Sequence, residues 1–259
     1  MMKKSVTSKL FYLFVCLVVF FDGVHSQPLA PDARLYVIDP ESHKIIKKNT
    51  KWNATLSSFL DKKLILLTFD DGPSNSEMDR AILATLKKHS APSIWFVNCQ
   101  NLDPASNPNF QANRDMLFEL RSSGHTIGNH GYHHLNLQDL DRNDPEKMHT
   151  EISTCNSYIK SLTGFSPKYF RAPWGVYTPN VTAYILAQGM SPSYWTVNSL
   201  DSIHSQHSSV TKKIHEHIDN LKFQNGDVIL FHEHSFTLSI LDELLTRLDS
   251  EGFVYVLPS

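Results

Sequence analysis

Two adjacent carboxylates, Asp70 and Asp71, close the apolar run LILLTF in the stretch LILLTFDDGP. Taking an ionised carboxylate out of water is costly unless a cation, a metal or a shared proton meets it. The pair therefore calls for a partner elsewhere in the chain. His130 and His134 in HGYHH can supply one, since a spacing of four predicts two imidazoles on one side of a helical turn. Two neutral imidazoles plus one carboxylate make a three-ligand metal site with room for water. Of two neighbouring aspartates, one can then bind the metal while the other takes a proton from that water. Three more polar clusters follow apolar runs in the same way: Arg171 and Trp174 in RAPWG after KYF, Asp201 after SYWTVNSL, and His232 at the end of VILFH. Each has an ordinary alternative. DDGP suits a turn, HGYHH suits a solvated loop in a chain with 14 histidines, Arg171 suits a surface ion pair and His232 a core histidine. Their joint occurrence at the ends of successive apolar runs favours a single site.

The elements that must position these groups alternate in type. LILLTF reads as a strand and EMDRAILATLKKH (77–89) as a helix, with acids early and Lys and His late as the helix dipole prefers. SIWFVN is a strand, and NRDMLFELRSSGH a helix that stops at Gly124. TIGNH is a short strand running into a loop. PEKMHTEISTCNSYIKSLTG is a long helix ending at Gly164, and KYFRAP is strand-like. NVTAYILAQGM is helical and SPSYWTVNS is read as one strand. Then SSVTKKIHEHIDNL is a helix, GDVILFH a strand, LSILDELLTRLDSEG a helix and FVYVLP a last strand. This order predicts an α/β domain with a mostly parallel sheet. About seven units favour a distorted (β/α) barrel over an open sheet, and such barrels carry their chemistry at the C-terminal ends of the strands. Upstream, RLYVIDPESHKII reads as a hairpin around Asp39-Pro40.

A chain of 259 residues with a formal net charge of −2 fits one large domain and argues against a nucleic-acid partner. No GxGxxG or GxxxxGK[ST] follows any strand, which disfavours nucleotide binding. Lys3, Lys4 and Lys9 precede the apolar run Leu10–Phe21, and Val24 and Ser26 stand three and one residues before a plausible cut at Gln27. This is the layout of a secretory signal peptide. The expected division is a signal peptide over 1–26, an N-terminal extension over 27–62 and a catalytic domain over 63–259. The product is expected to be exported to the periplasm, cell wall or medium, with no permanent membrane anchor and as a monomer. Export leaves Cys99 and Cys155, whose spacing alone does not decide whether they are bridged. Asn53-Ala-Thr and Asn180-Val-Thr fit the glycosylation acceptor pattern.

The polar clusters, taken together, resemble the motifs of the polysaccharide deacetylase family, the NodB-like carbohydrate esterases that remove N-acetyl groups from chitin-type or peptidoglycan sugars. TFDDGP at 68–73 matches the family's first motif. HGYHH at 130–134 is similar to its second, with Gly131 in a Ser/Thr place and Leu135 in a proline place. RAPWG at 171–175 looks like the third, and ILFH at 229–232 like the fifth. NSLDS at 198–202 looks like a weakened fourth, with Asn198 for an aspartate and Ser202 for a tryptophan. The resemblance spans roughly Lys63 to the C-terminus. It implies Asp70 as general base, Asp71, His130 and His134 as metal ligands, and Arg171 as the group that holds Asp70. It further implies the Trp174 backbone N–H as an oxyanion donor and Asp201 as the group that tunes His232, the general acid. His133 and His234 flank matching positions without occupying them. The implied reaction is metal-dependent hydrolysis of N-acetyl groups on an N-acetylglucosamine polysaccharide, peptidoglycan or chitin-like, releasing acetate. Zn2+ suits a two-His, one-Asp donor set best, while Co2+, Mn2+ and Ni2+ suit it less specifically. Two rivals are a catalytically silent carbohydrate-binding relative and a two-His-one-carboxylate iron oxygenase; neither gives work to both Asp70 and His232.

Overall fold

A computed structural model describes residues 36–39, 41–47, 62–203 and 208–258. The expected signal peptide (1–26) lies outside the described residues, and no described helix is long and apolar enough to cross a membrane. The expected hairpin is present, with β1 (Tyr36–Ile38) and β2 (Ile45–Lys47) paired antiparallel. It docks by the Ile45 N–H, which donates to the Gly226 carbonyl at 2.7 Å. From Lys63 the chain alternates: β3 (Lys63–Asp70), α1 (Ser76–Lys88), β4 (Ser93–Val97), α2 (Phe110–Ser122) and β5 (Thr126–Asn129). Next come α3 (Leu137–Asn143), α4 (Pro145–Thr163), β6 (Tyr169–Phe170), α5 (Pro179–Ala187), β7 (Ser191–Pro192) and β8 (Val197–Asn198). The remainder is α6 (Ser208–Asn220), β9 (Asp227–His232), α7 (Ser235–Ser250) and β10 (Phe253–Tyr255). The strands from β3 to β10 form one parallel sheet in the order β7-β6-β5-β4-β3-β9-β8, with β10 pairing the first three residues of β3. No pairing joins β7 to β8 among the described residues, so the barrel is distorted and open at that edge. SPSYWTVNS is thus two short strands rather than one, interrupted at 193–196, where the chain turns from β6 to β9.

Strand β3 explains its own sequence. A strand sends alternate side chains to opposite faces, and β3 is covered on both. Ile65, Leu67 and Phe69 join the core beneath α1 and α7, with Ile82, Leu86, Phe231 and Leu245. Leu64 and Leu66 join a second core inside the barrel with Ile94, Phe96 and Val228. A strand buried on both faces must read as a continuous apolar run. The same two-residue period carries Thr68 and Asp70 to the inner face, at the end where a barrel does its chemistry. The helices carry their own punctuation. The Asn75 side chain accepts from the Met78 N–H at the start of α1. At α4, Asp144 caps the start, Pro145 follows, and Gly164 ends it with φ 74. Cys99 and Cys155 are bridged, with Cα atoms 5.4 Å apart and a sequence separation of 56. Loop-closure entropy for a span of that order contributes roughly 3–5 kcal/mol.

One surface contact has a definite pH signature. His89, at the end of α1, places Nδ1 2.6 Å from Asp249 and Nε2 2.8 Å from Asp242, both on α7. Partial burial alone would lower the imidazole, but the two carboxylates raise it above its ordinary value. A raised native pKa stabilises the fold below the unfolded value of about 6.5 and loses that contribution as pH climbs through the native pKa. Thermal unfolding should therefore show a drop in Tm above about pH 6.5 in the unmodified chain, and His89→Ala should flatten that drop. An equal drop in both proteins would contradict the assignment.

Candidate active site

Arg171 is fully buried and sits at the centre of the inner face. Its Nη1 donates to Asp70 Oδ1 at 2.8 Å and to Thr68 Oγ1 at 2.7 Å, and its Nη2 donates to the Tyr194 carbonyl at 2.8 Å. The guanidinium lies 4.2 Å from the Phe96 ring centroid. A buried cation is tolerable only when paired and hydrogen-bonded, and Asp70 is the counter-ion. Arg171 is therefore no surface ion pair.

Asp71 follows at φ 79, a left-handed backbone rare outside glycine. That conformation turns its side chain from the β3 face toward the 130–134 loop. Asp71 Oδ1 lies 3.4 Å from His130 Nε2 and 3.2 Å from His134 Nε2. The segment carrying the two histidines is a loop, not the helical turn their spacing predicts. Gly131 at φ 82 and His134 at φ 57 fold it back on itself. The His130 Nδ1–H donates to the Arg171 carbonyl at 2.7 Å, so the neutral ring carries its lone pair on Nε2, facing Asp71.

These contacts test whether a cation fits. Asp71 Oδ1 and the two imidazole nitrogens lie within 4.8 Å of one another. The Asp71 side chain is 40 % exposed, yet Oδ1 itself is covered and accepts no well-formed hydrogen bond. A carboxylate oxygen and two imidazole nitrogens converging in this way fit a divalent ion, and that is the donor chemistry zinc and its neighbours favour. The electrostatics of the three groups differ. Burial would raise the Asp71 carboxyl, but His130, His134 and His232 hold it well below the usual carboxylate range. Burial lowers the His134 imidazole, favouring its neutral form. Burial would also lower His130, but the carboxylates of Asp70 and Asp71 push it up.

The other wall is a dyad. Asp70 and His232 are partners in register across β3 and β9, so their side chains leave the sheet on the same face. Fully buried Asp201 binds His232 twice: Oδ1 meets Nδ1 at 2.7 Å and Oδ2 accepts the backbone N–H at 2.6 Å. Thr237 Oγ1 donates to the same Oδ2 at 2.6 Å. Burial would lower the His232 imidazole, but Asp201, with Asp70 and Asp71 behind it, raises it. His232 is thus not an ordinary core histidine. Trp174 occupies the short turn after Arg171 at φ 56; the residue is 58 % exposed and its ring lies 4.6 Å from the His134 ring. Contacts of Asp70 with Arg171, of Asp71 with His130 and His134, of His134 with Trp174 and of His232 with Asp201, with Asp70 and His232 in register, bring the eight predicted residues together.

Several contributing groups escaped the sequence reading. Thr237 completes the Asp201 cluster, and the Tyr177 hydroxyl accepts from the Ala172 N–H at 3.0 Å, pinning the turn that carries Trp174. Buried Glu151 grips His133, and the Asn101 side chain donates to the Asp71 carbonyl. Glu233 is buried against Gly72, where any Cβ would collide with its carboxyl group. Neither of its oxygens has a hydrogen-bond partner among the described residues, and burial raises its pKa well above the ordinary value. None of these positions carries a pattern beyond ordinary polar composition.

With the geometry in view, a sequence profile described as "Polysaccharide deacetylase" matches residues 58–193, more than half of the chain. The chain is 29 % identical over 195 residues to a peptidoglycan-N-acetylglucosamine deacetylase, PgdA, of Listeria monocytogenes. That alignment takes in 75 % of this chain but only 38 % of PgdA, so the chain spans well under half the length of that relative. It is 30 % identical over 138 residues to a chitooligosaccharide deacetylase of Bradyrhizobium, covering 53 % of this chain and 58 % of the relative. Among solved structures, the peptidoglycan deacetylase PdaC of Bacillus subtilis superposes with a TM-score of 0.63 at 25 % identity, over 76 % of this chain and 88 % of that one. The barrel, open at one edge and carrying its polar residues at the strand ends, defines the architectural class. The chain belongs to the polysaccharide deacetylase family.

The His232 dyad makes a prediction independent of any catalytic role. A titration of the imidazole followed by NMR should place the His232 pKa above about 6.5, and Asp201→Asn should bring it down. A His232 that titrates identically in the two proteins would contradict the coupling.

Proposed function

We propose that the chain is a metal-dependent N-deacetylase acting on a glycan rich in N-acetylglucosamine, either peptidoglycan or a chitin-like polymer, and that it releases acetate. One observation carries the reading most strongly. A covered carboxylate oxygen of Asp71 lies at 3.2 and 3.4 Å from two imidazole nitrogens, beside a carboxylate and a raised-pKa histidine paired in register. The family membership and the substrates in the relatives' names support the same reaction class.

Asp71, His130 and His134 would hold the cation, zinc by preference. When bound it supplies Lewis-acid polarisation of the acyl oxygen and a lowered pKa for water. The chain's residues do the rest. Asp70, with Oδ1 committed to Arg171, keeps Oδ2 for the proton of the attacking water. The Trp174 backbone N–H donates to the oxygen on which negative charge develops; such preorganised donors are commonly the largest electrostatic contribution to catalysis. His232, protonated and held by Asp201, gives its proton to the departing sugar nitrogen, so acetate and a free amine leave. Asp201 and Thr237 keep the imidazole in the orientation that presents Nε2 to the substrate. Acid and base each contribute on the order of 10²–10⁴-fold.

The export reading stays with this function, because polymers of this kind lie outside the cytoplasm. It rests on the N-terminal pattern of three lysines followed by the apolar run Leu10–Phe21.

The test is product analysis on a panel of peptidoglycan fragments and acetylated chito-oligosaccharides. Acetate should appear with at least one substrate, vanish with a chelator and return with Zn2+. Asp70→Asn should lose on the order of 10²–10⁴ in kcat; activity surviving in that variant would remove the assigned base. A general acid with a raised pKa also sets a sign. Activity should fall as pH rises through the His232 pKa, and Asp201→Asn should move that alkaline limb to lower pH. An unmoved limb would assign the acid elsewhere.

A further inference from the structure

Both loops that carry the would-be ligands hold strained backbone. Asp71 and His134 have φ values of 79 and 57. Non-glycine residues persist in that region only where their surroundings over-determine them. Those surroundings are identifiable, and they form a closed circuit.

The circuit starts at the turn Cys99–Leu102, which follows β4. From it, the Cys99 N–H donates to the Gly131 carbonyl at 3.2 Å and the Gln100 N–H to the Tyr132 carbonyl at 2.9 Å. The Asn101 Nδ2 donates to the Asp71 carbonyl at 2.7 Å. One turn therefore touches both ligand loops. Asn101 is fixed in its own right, because its carbonyl accepts from Asn113 Nδ2 on α2 at 2.8 Å. On the far side of the histidine loop stands Glu151 of α4. Its Oε2 accepts the His133 N–H at 2.8 Å and its Oε1 meets His133 Nδ1 at 2.6 Å. The Glu151 carboxyl is buried while the His133 side chain is half exposed, so the contact is anchored from the protein side. The Cys99–Cys155 disulfide closes the circuit, tying the turn to α4 one helical turn beyond Glu151.

We propose that Asn101 and Glu151, locked together by the Cys99–Cys155 bridge, are positioning residues of the cation site, so that the bridged chain holds a divalent cation more tightly than an unbridged one. The proposal rests on the reading of Asp71, His130 and His134 as ligands. None of the four bracing residues faces the reacting atoms. They act on the backbone that aims the ligands, and outer-shell partners of this kind are typically worth 10–100-fold in metal affinity.

The experiment measures the Kd for Zn2+ on the whole chain by competition with a chromophoric chelator, with no substrate present. Asn101→Ala, Glu151→Ala and the double variant Cys99→Ala/Cys155→Ala should each weaken binding on the order of 10–100-fold. Glu151→Gln should stay near the unmodified value, because its amide oxygen still accepts the His133 N–H. Leu248→Ala, a core change on α7 away from the opening, should lower Tm and leave the Kd unchanged. An unchanged Kd in any of the three bracing variants would overturn the proposal. So would a Leu248→Ala protein as weakened as they are, since the loss would then be global softening. A bridged, unmodified chain that takes up no divalent cation would remove the metal centre itself, and the brace with it.

Discussion

A guanidinium with no exposure to solvent governs the candidate site. Burying Arg171 costs several kcal/mol before its partners are counted, and the barrel is arranged to supply them. Thr68, Asp70 and the carbonyl of Tyr194 receive its N–H groups, and Phe96 covers its face. The backbone of the same residue does separate work, since its carbonyl takes the Nδ1–H of His130 and thereby sets which nitrogen of that ring faces Asp71. The turn Pro173–Gly175, one residue further on, presents Trp174. One position thus ties the proposed base, a proposed ligand and the proposed oxyanion donor to a common frame. Replacing it would leave Asp70 buried and unpaired, which is worse than losing the attraction alone.

The second constraint is the division of two adjacent aspartates. Neighbouring residues on a strand face opposite ways, so a regular strand could not send both carboxylates into one cavity. The left-handed backbone at Asp71 solves this, and Gly72, with no Cβ, leaves room for the buried Glu233 carboxyl behind it. Asp70 stays on the inner face with Arg171, while Asp71 swings toward the imidazoles. Across the cavity, Asp201 raises His232 as Asp70 and Asp71 raise His130, whereas burial lowers His134. Three histidines in one opening therefore meet different electrostatic fates, each set by which carboxylate or backbone group holds the ring.

Much of this was legible in the sequence for a specific reason. Strands buried on both faces read as apolar runs, and their ends are marked by abrupt polar residues, so Asp70, Asp71, His130, Arg171 and His232 could be placed before any coordinates. What failed was local backbone geometry. The four-residue spacing of His130 and His134 suggested a helical turn, but positive φ values at Gly131 and His134 leave no periodic trace. SPSYWTVNS looked continuous because its residues suit a strand, whereas the break arises from the open edge between β7 and β8. Asn101, Glu151, Tyr177 and Thr237 were illegible for a third reason. They act through side-chain hydrogen bonds that follow no helix or strand period, and an asparagine in a turn or a glutamate on a helix is ordinary in isolation.

The claim on which all this depends is that Asp71, His130 and His134 surround one ion. A crystal soaked in Zn2+ and measured on both sides of the zinc absorption edge tests it most directly. The account predicts a single strong anomalous peak within bonding distance of Asp71 Oδ1 and of Nε2 on both imidazoles. A peak elsewhere, or no peak among those three atoms at saturating zinc, would contradict it.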